Sequence, residues 1–230
     1  MGNLDSGEKL PIYEKAAEKG FNQRVGVYYM RDFFADDKDF DIPEERMDKN
    51  RQIFAAGLKL IGDGSISGRT AWMDQPYYGS GDEYGISVCS DELIESAISF
   101  CKKRHCQLSM HAMGSRTIAR MVDRAAAEES WTEDDTPYVR IEHVTEPREE
   151  SLERAAQHGI AFVTQPIFPY AESASYLKNL VSERLKNCYP FRNMLERGVK
   201  TGFSTDAPSP VLTTPTAPFP GRTLSLTSTY

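Results

Sequence analysis

The stretch QLSMHAMGSRTIARMVDRAAAEESWTEDDTPYVRIEHV, residues 107–144, reads as one strand–helix–strand unit. Gln107 to Met110 is a short strand running into His111. Ser115 to Glu128, rich in alanine and arginine, is a helix, and Tyr138 to Val144 returns as a second strand. Two strands joined through a helix lie parallel, because the helix carries the chain back to the edge where the first strand began.

The same alternation extends in both directions. Before this unit, Gln23 to Met30 (QRVGVYYM) is β-branched and aromatic and suits a strand. Pro43 to Ala56 reads as a helix, with Pro43 and two glutamates in its first turn. Gly57 to Gly62 (GLKLIG) is the next strand, and a glycine-rich loop through Asp63-Gly64-Ser65 runs on to about Ser90. Ser90 is placed to cap a helix whose apolar stripe is Leu93, Ile94, Ala97, Ile98 and Cys101. After the unit come a helix over Glu149–His158 closed by Gly159, and a strand over Ile160–Thr164 ending at Gln165-Pro166. Helices over Tyr176–Lys186 and Phe191–Arg197 follow, then a last strand, GVKTGFS, over Gly198–Ser204. Six strands with interposed helices predict a parallel α/β sheet. Strict βα repetition points to a (β/α) barrel, although a doubly wound open sheet has the same alternation. Residues 1–208 form the expected barrel domain. Residues 209–230, almost all Ser, Thr, Pro, Leu and Gly, form a low-complexity tail expected to lack order.

The chain has 230 residues, 40% hydrophobic and 27% charged, as in an ordinary globular protein. A net charge of -7 argues against nucleic acid as a general partner. No apolar run reaches the roughly 18 residues needed for a membrane span. Cys89, Cys101, Cys106 and Cys188 form no C-x-x-C pair, so a cysteine zinc site is not expected. Reduced thiols in a cytoplasmic protein are the plain reading.

Four residues share one placement, at or just inside the C-terminal end of a strand: Lys59, His111, His143 and Asp206. In a parallel βα barrel these ends converge on one mouth, where active sites are built. A lone histidine after a strand is more often a core or surface residue than a ligand, but two at equivalent places are more telling. A neutral imidazole binds a metal through one nitrogen. Lys59 lies on the face opposite Leu58 and Leu60, and if that face is the barrel interior its ammonium must be paired or lose its proton. A neutral lysine can add carbon dioxide to give a carbamate with two ligating oxygens. Asp206 precedes Ala207-Pro208 and is either a turn residue or a carboxylate that touches a metal and takes a proton from its bound water. His105 and His158 sit at helix ends and read as structural. Asp63-Gly64-Ser65 is a weak candidate phosphate cradle.

In order, five segments carry a resemblance: GLKLIGDGSISGRTAWMDQPY (57–77), LSMHAMGSRTIARMVD (108–123), VRIEHVTEP (139–147), FVTQPIF (162–168) and GVKTGFSTDAP (198–208). From about Phe21 to Pro208 the chain resembles the amidohydrolase superfamily, and within it the amidohydrolase-3 group of YtcJ-like metal-dependent hydrolases. The resemblance implies a (β/α)8 barrel in which Lys59 ends the fourth strand as a carboxylated bridging ligand. It implies His111 and His143 as metal ligands ending the fifth and sixth strands. Asp206 ends the eighth as metal ligand and general base. The expected cofactor is one or two divalent ions, zinc by donor type, and the substrate a small molecule with an amide, formamide or cyclic amide bond.

The family also carries a His-x-His pair at the end of its first strand. Here no histidine precedes His105. The six strands would be the third to eighth, with strands one and two lacking counterparts, as in an internal piece of a longer enzyme. Such a piece is expected to have two bare edges and an open apolar interior, and so to aggregate, to pair with another chain (self-association through the open edges included), or to be marginally stable. The rival expectation is a catalytically inactive remnant that acts at most as a binding module.

Overall fold

The structure, a computed structural model, describes residues 2–4, 9–37 and 39–206; the expected tail lies outside them. Seven strands form one all-parallel sheet whose spatial order is the chain order. They are β1 (Gly2–Leu4), β2 (Val25–Met30), β3 (Ile53–Ile61), β4 (Gln107–Ala112), β5 (Val139–His143), β6 (Ala161–Thr164) and β7 (Lys200–Phe203). A doubly wound sheet reverses its strand order part-way across. This one does not, so the architecture is a partial barrel in which, among the described residues, β1 and β7 do not pair.

Helices α1 (Leu10–Glu18), α2 (Glu44–Met47), α3 (Asp91–Arg104), α4 (Ser115–Ala126) and α5 (Glu149–His158) lie between successive strands from β1 to β6. Four short helices, α6 (Phe168–Ala171), α7 (Ser173–Asn179), α8 (Ser182–Leu185) and α9 (Phe191–Glu196), fill the β6–β7 connection. Strand alternation sorts the residues between two faces. Leu58, Leu60, Leu108, Met110, Val139, Ile141 and Phe162 pack with Ile94, Ile98, Cys101, Ile118, Met121, Val122, Leu152 and Ala155 of α3, α4 and α5. Each leucine, isoleucine, valine, methionine or phenylalanine among them contributes on the order of 1.5–3 kcal/mol by leaving water. Lys59, Ser109, His111, Arg140 and Glu142 take the opposite face. The inner wall of the barrel is therefore polar along β3–β5, and not the open apolar surface expected from the sequence.

The six expected strands are present, with boundaries moved by up to four residues. β1 is additional. It pairs with β2 (Gly2↔Val27 to Leu4↔Tyr29), where the second strand of a full barrel would lie. A second difference is the expected helix over Pro43–Ala56. Only Glu44–Met47 is helical; the chain then turns at Asp48, whose Oδ1 accepts from Asn50 N at 2.8 Å, and enters β3 at Ile53. The helix propensity of Ala55 and Ala56 yields to pairing of Ile53, Phe54 and Ala55 with Val25, Gly26 and Val27. The register slips once, so that Tyr28 faces Gly57 and Ala56 is the extra residue. Gly57 has φ 151°, and a Cβ there would stand 1.8 Å from the Gln107 carbonyl oxygen. Only glycine lets β3 and β4 meet at that point.

Ser90 caps α3 as expected, its side chain accepting from Leu93 N at 3.2 Å. Ser90→Ala should cost about 1 kcal/mol, measured by urea unfolding. Gly159 closes α5 at φ 68°, and His105 closes α3 at φ 49°. Among the described residues all four cysteines are free. No described helix is long and apolar enough to cross a membrane.

Candidate active site

The register sets the rim. Ile61 pairs with His111, His111 with Glu142, and Ala112 with His143, so the ends of β3, β4 and β5 lie level. Lys59, His111 and His143 then gather in one place. The His111 and His143 rings are 4.4 Å apart, centre to centre.

Lys59 is not a free amine. Its Nζ donates to Glu142 Oε2 at 2.7 Å, and each side chain is only 3% exposed. The other oxygen, Oε1, accepts from Ser109 Oγ at 2.8 Å and from Arg140 Nε at 3.0 Å. Burial lowers the Lys59 pKa, and Glu142 opposes that shift. Burial alone would raise Glu142, but Lys59 and Arg140 outweigh it and hold the carboxyl well below its ordinary range. The pair is an ammonium–carboxylate bridge stabilised by a second cation.

His111 Nε2 lies 3.0 Å from the Gly64 carbonyl and 3.5 Å from Asp63 Oδ1. A carbonyl can only accept, so Nε2 carries the proton and Nδ1 keeps the lone pair. His143 Nδ1 lies 2.9 Å from Gln165 Oε1, and its ring stacks on Phe168 with centroids 5.8 Å apart. Burial lowers the pKa of both imidazoles; Asp63 opposes the shift at His111, and His111 adds to it at His143. Both rings are held neutral, the state in which imidazole ligates a metal. His143 and Val144 both have left-handed backbone, φ 74° and 49°, which is rare for a β-branched residue such as Val144. Strain of this kind concentrates at functional sites.

Asp206, also left-handed at φ 53°, is exposed at the end of the described chain. Partial removal from water and the Glu142 carboxylate raise its pKa, with Lys59 opposing. Three of the four candidates are thus in one cluster, and the fourth is near enough to feel its charges.

Three residues of the site have roles that the sequence does not announce. Asp63 is buried, and its carboxylate accepts from Met113 N (3.0 Å), Gly114 N (2.8 Å) and Trp72 N (2.9 Å). It ties the loop after β3 to the turn into α4. The phosphate-cradle reading fails here, because Gly64 N and Ser65 N already bond to Thr70. Glu142 and Gln165 are the other two. Period-two placement of Arg140 and Glu142 on the face of Lys59 was the available signal for Glu142. Above the rim, Ile66, Met73, Tyr77, Phe168, Tyr176 and Tyr189 form a separate apolar cluster joining the β3 loop to the β6–β7 connection. Arg184 fastens it, bonding Glu146 Oε2 at 2.7 Å and the Pro76 carbonyl at 3.1 Å.

Among the described residues no group of three or more His, Cys, Asp or Glu is arranged to hold an ion. The donors present fit part of such a site. Two neutral imidazoles adjoin, each with its second nitrogen engaged by an oxygen acceptor, the arrangement that orients metal-binding histidines.

An amidohydrolase family model matches residues 6–227. Putative amidohydrolase YtcJ of Bacillus subtilis is 25% identical over 151 residues, 66% of this chain and 28% of that protein. Protein LONG AFTER FAR-RED 3 of Arabidopsis thaliana is 26% identical over 157 residues, 68% of this chain and 27% of that protein. The chain thus spans little more than a quarter of the length of these relatives. An uncharacterized metal-dependent hydrolase from Pyrococcus horikoshii superposes with a TM-score of 0.71 at 23% identity, over 90% of this chain and 40% of that one. One from Pyrococcus furiosus gives 0.67 at 25% identity, over 86% and 40%. With the family match running through nearly every described element, and the sequential parallel sheet superposing on those hydrolases, this chain belongs to the amidohydrolase family.

Proposed function

We propose that this chain carries part of the active site of a metal-dependent hydrolase that cleaves carbon–nitrogen bonds other than peptide bonds. The observation that carries the reading is the His111–His143 pair, the first partly buried and the second buried, with rings 4.4 Å apart at the level rim of β4 and β5. His111 Nδ1 and His143 Nε2 would hold a divalent ion, zinc by donor chemistry. Lys59 would join them as a carbamate, and Asp206 as a carboxylate ligand. The bound ion supplies a water acidified toward neutrality and polarises the substrate carbonyl.

The chain's own residues do the rest. Asp206, with its pKa raised, takes a proton from the attacking water and returns it to the leaving nitrogen. Lys59 must first lose a proton before its Nζ adds carbon dioxide, with one further proton released to solvent. Burial favours that loss and Glu142 resists it. When Lys59 turns away, Glu142 Oε1 keeps its bonds to Ser109 and Arg140, and Oε2 gives up its Lys59 partner. Phe168 of the aromatic cluster stacks on the His143 ring and covers one of its faces.

Two observations favour a second reading, a catalytically inactive remnant: Lys59 is locked to Glu142, and among the described residues no three His, Cys, Asp or Glu are grouped to hold an ion. Zinc analysis of the purified chain separates the two. The metal reading expects about one or two zinc ions per chain, with affinity falling at least about tenfold in His143→Ala and in Lys59→Ala. A chain that takes up no zinc under replete conditions sinks the metal reading and leaves the remnant.

A further inference from the structure

Gln165 is 1% exposed and follows β6 directly, between the end of β5 and the end of β7. Its Nε2 lies 2.9 Å from Ser204 Oγ and 3.5 Å from the Val163 carbonyl oxygen. Its Oε1 lies 2.9 Å from His143 Nδ1. The two ends of an amide differ only in what they can bond: oxygen accepts and nitrogen donates. A carbonyl accepts only, so the Val163 oxygen requires the nitrogen on its side. That leaves Oε1 toward His143, and an oxygen acceptor there requires the proton on Nδ1. The lone pair of the neutral ring is then on Nε2. The chain of dependence runs from a main-chain oxygen in β6, through one buried amide, to the ring of His143 on β5.

From this we infer that Gln165 is a positioning residue, which fixes His143 as the Nδ1–H tautomer and so presents Nε2 to the rim. The inference rests on the reading of His143 as a metal ligand for its consequence, but not for the tautomer itself. The same amide, through Ser204, ties the ring to the end of β7 two residues before Asp206. Ser204 N in turn donates to the Thr164 carbonyl at 2.9 Å, so the strap is closed on both sides. His111 reaches the complementary state through Gly64, and the neighbouring rings thus offer different nitrogens, Nδ1 from one and Nε2 from the other.

The test is long-range proton–nitrogen NMR of the His143 ring in the metal-free full-length chain, together with zinc titration. The wild-type ring should carry its proton on Nδ1. Gln165→Met, of similar size but without acceptor or donor, should move the population toward the Nε2–H form and weaken zinc binding about 10- to 100-fold. Gln165→Glu keeps an acceptor and should retain the Nδ1–H bond. A wild-type ring protonated on Nε2 alone overturns the inference, and so does a folded Gln165→Met with an unchanged tautomer. If Gln165→Met fails to fold, Gln165→Glu decides: a proton kept on Nδ1 supports the inference, and a proton on Nε2 alone overturns it. Because the spectra need no metal, absence of zinc binding in the wild type strikes the metal reading and not the tautomer.

Discussion

Glu142→Ala should lower the free energy of unfolding by about 3–5 kcal/mol, the cost of leaving a buried charge without its partner. Two cations lose their carboxylate at once: Lys59, almost fully buried, and Arg140, which lies over the Tyr28 ring at 4.9 Å. Guanidinium unfolding measured by circular dichroism checks this, and a loss under about 1 kcal/mol would mean that the bridge is solvated. Replacement of Lys59 and Glu142 together by methionine and leucine should recover the part of the loss that comes from Lys59, because that cation leaves with its partner, while Arg140 still lacks its carboxylate. The pH dependence has a definite sign. The Glu142 carboxyl is lower in the folded state than in the unfolded chain. Its stabilisation is therefore complete above the ordinary glutamate value of about 4.3, and drains away as pH falls below it. Glu142→Gln should flatten the acid limb of the stability curve.

Asp63→Ala should be nearly as damaging, at about 3 kcal/mol, since two buried backbone N–H groups and one part-buried one lose their acceptor at once. Trp72, Met113 and Gly114 all point at this one carboxylate. Asp63→Asn should recover little, because one end of the amide would present N–H to N–H. A thermal melt of the Asp63→Asn variant within about 2 °C of wild type would show that water replaces the carboxylate at this crossing. The loss should also reach the rim, because His111 Nε2 rests on Gly64 beside it.

How much of this was legible in the sequence follows from where each interaction is encoded. The face of Lys59 was readable from the leucines beside it, and the cap at Ser90 from its position before an apolar stripe. His111 and His143 were readable as equivalent strand ends. The helix expected over Pro43–Ala56 fails because alanines favour helix locally, whereas the competing strand is set by residues 25–27. β1 has three residues and no pattern of its own. Asp63 and Gln165 do their bonding across gaps of 50 and 39 residues, to Met113 and Ser204. No local propensity records such pairings, and polar side chains in loops look alike until the fold brings their partners together.

The unbroken strand order has a consequence for assembly. Every strand docks beside its own predecessor, so the sheet can accrete one crossover at a time and needs no remote segment to return. A growing sheet of this kind is firmest in the middle. β1 and β7, with three and four residues and, among the described residues, a partner on one flank only, are the last to settle and the first to fray. Amide hydrogens should accordingly exchange slowest in β4 and progressively faster toward both margins.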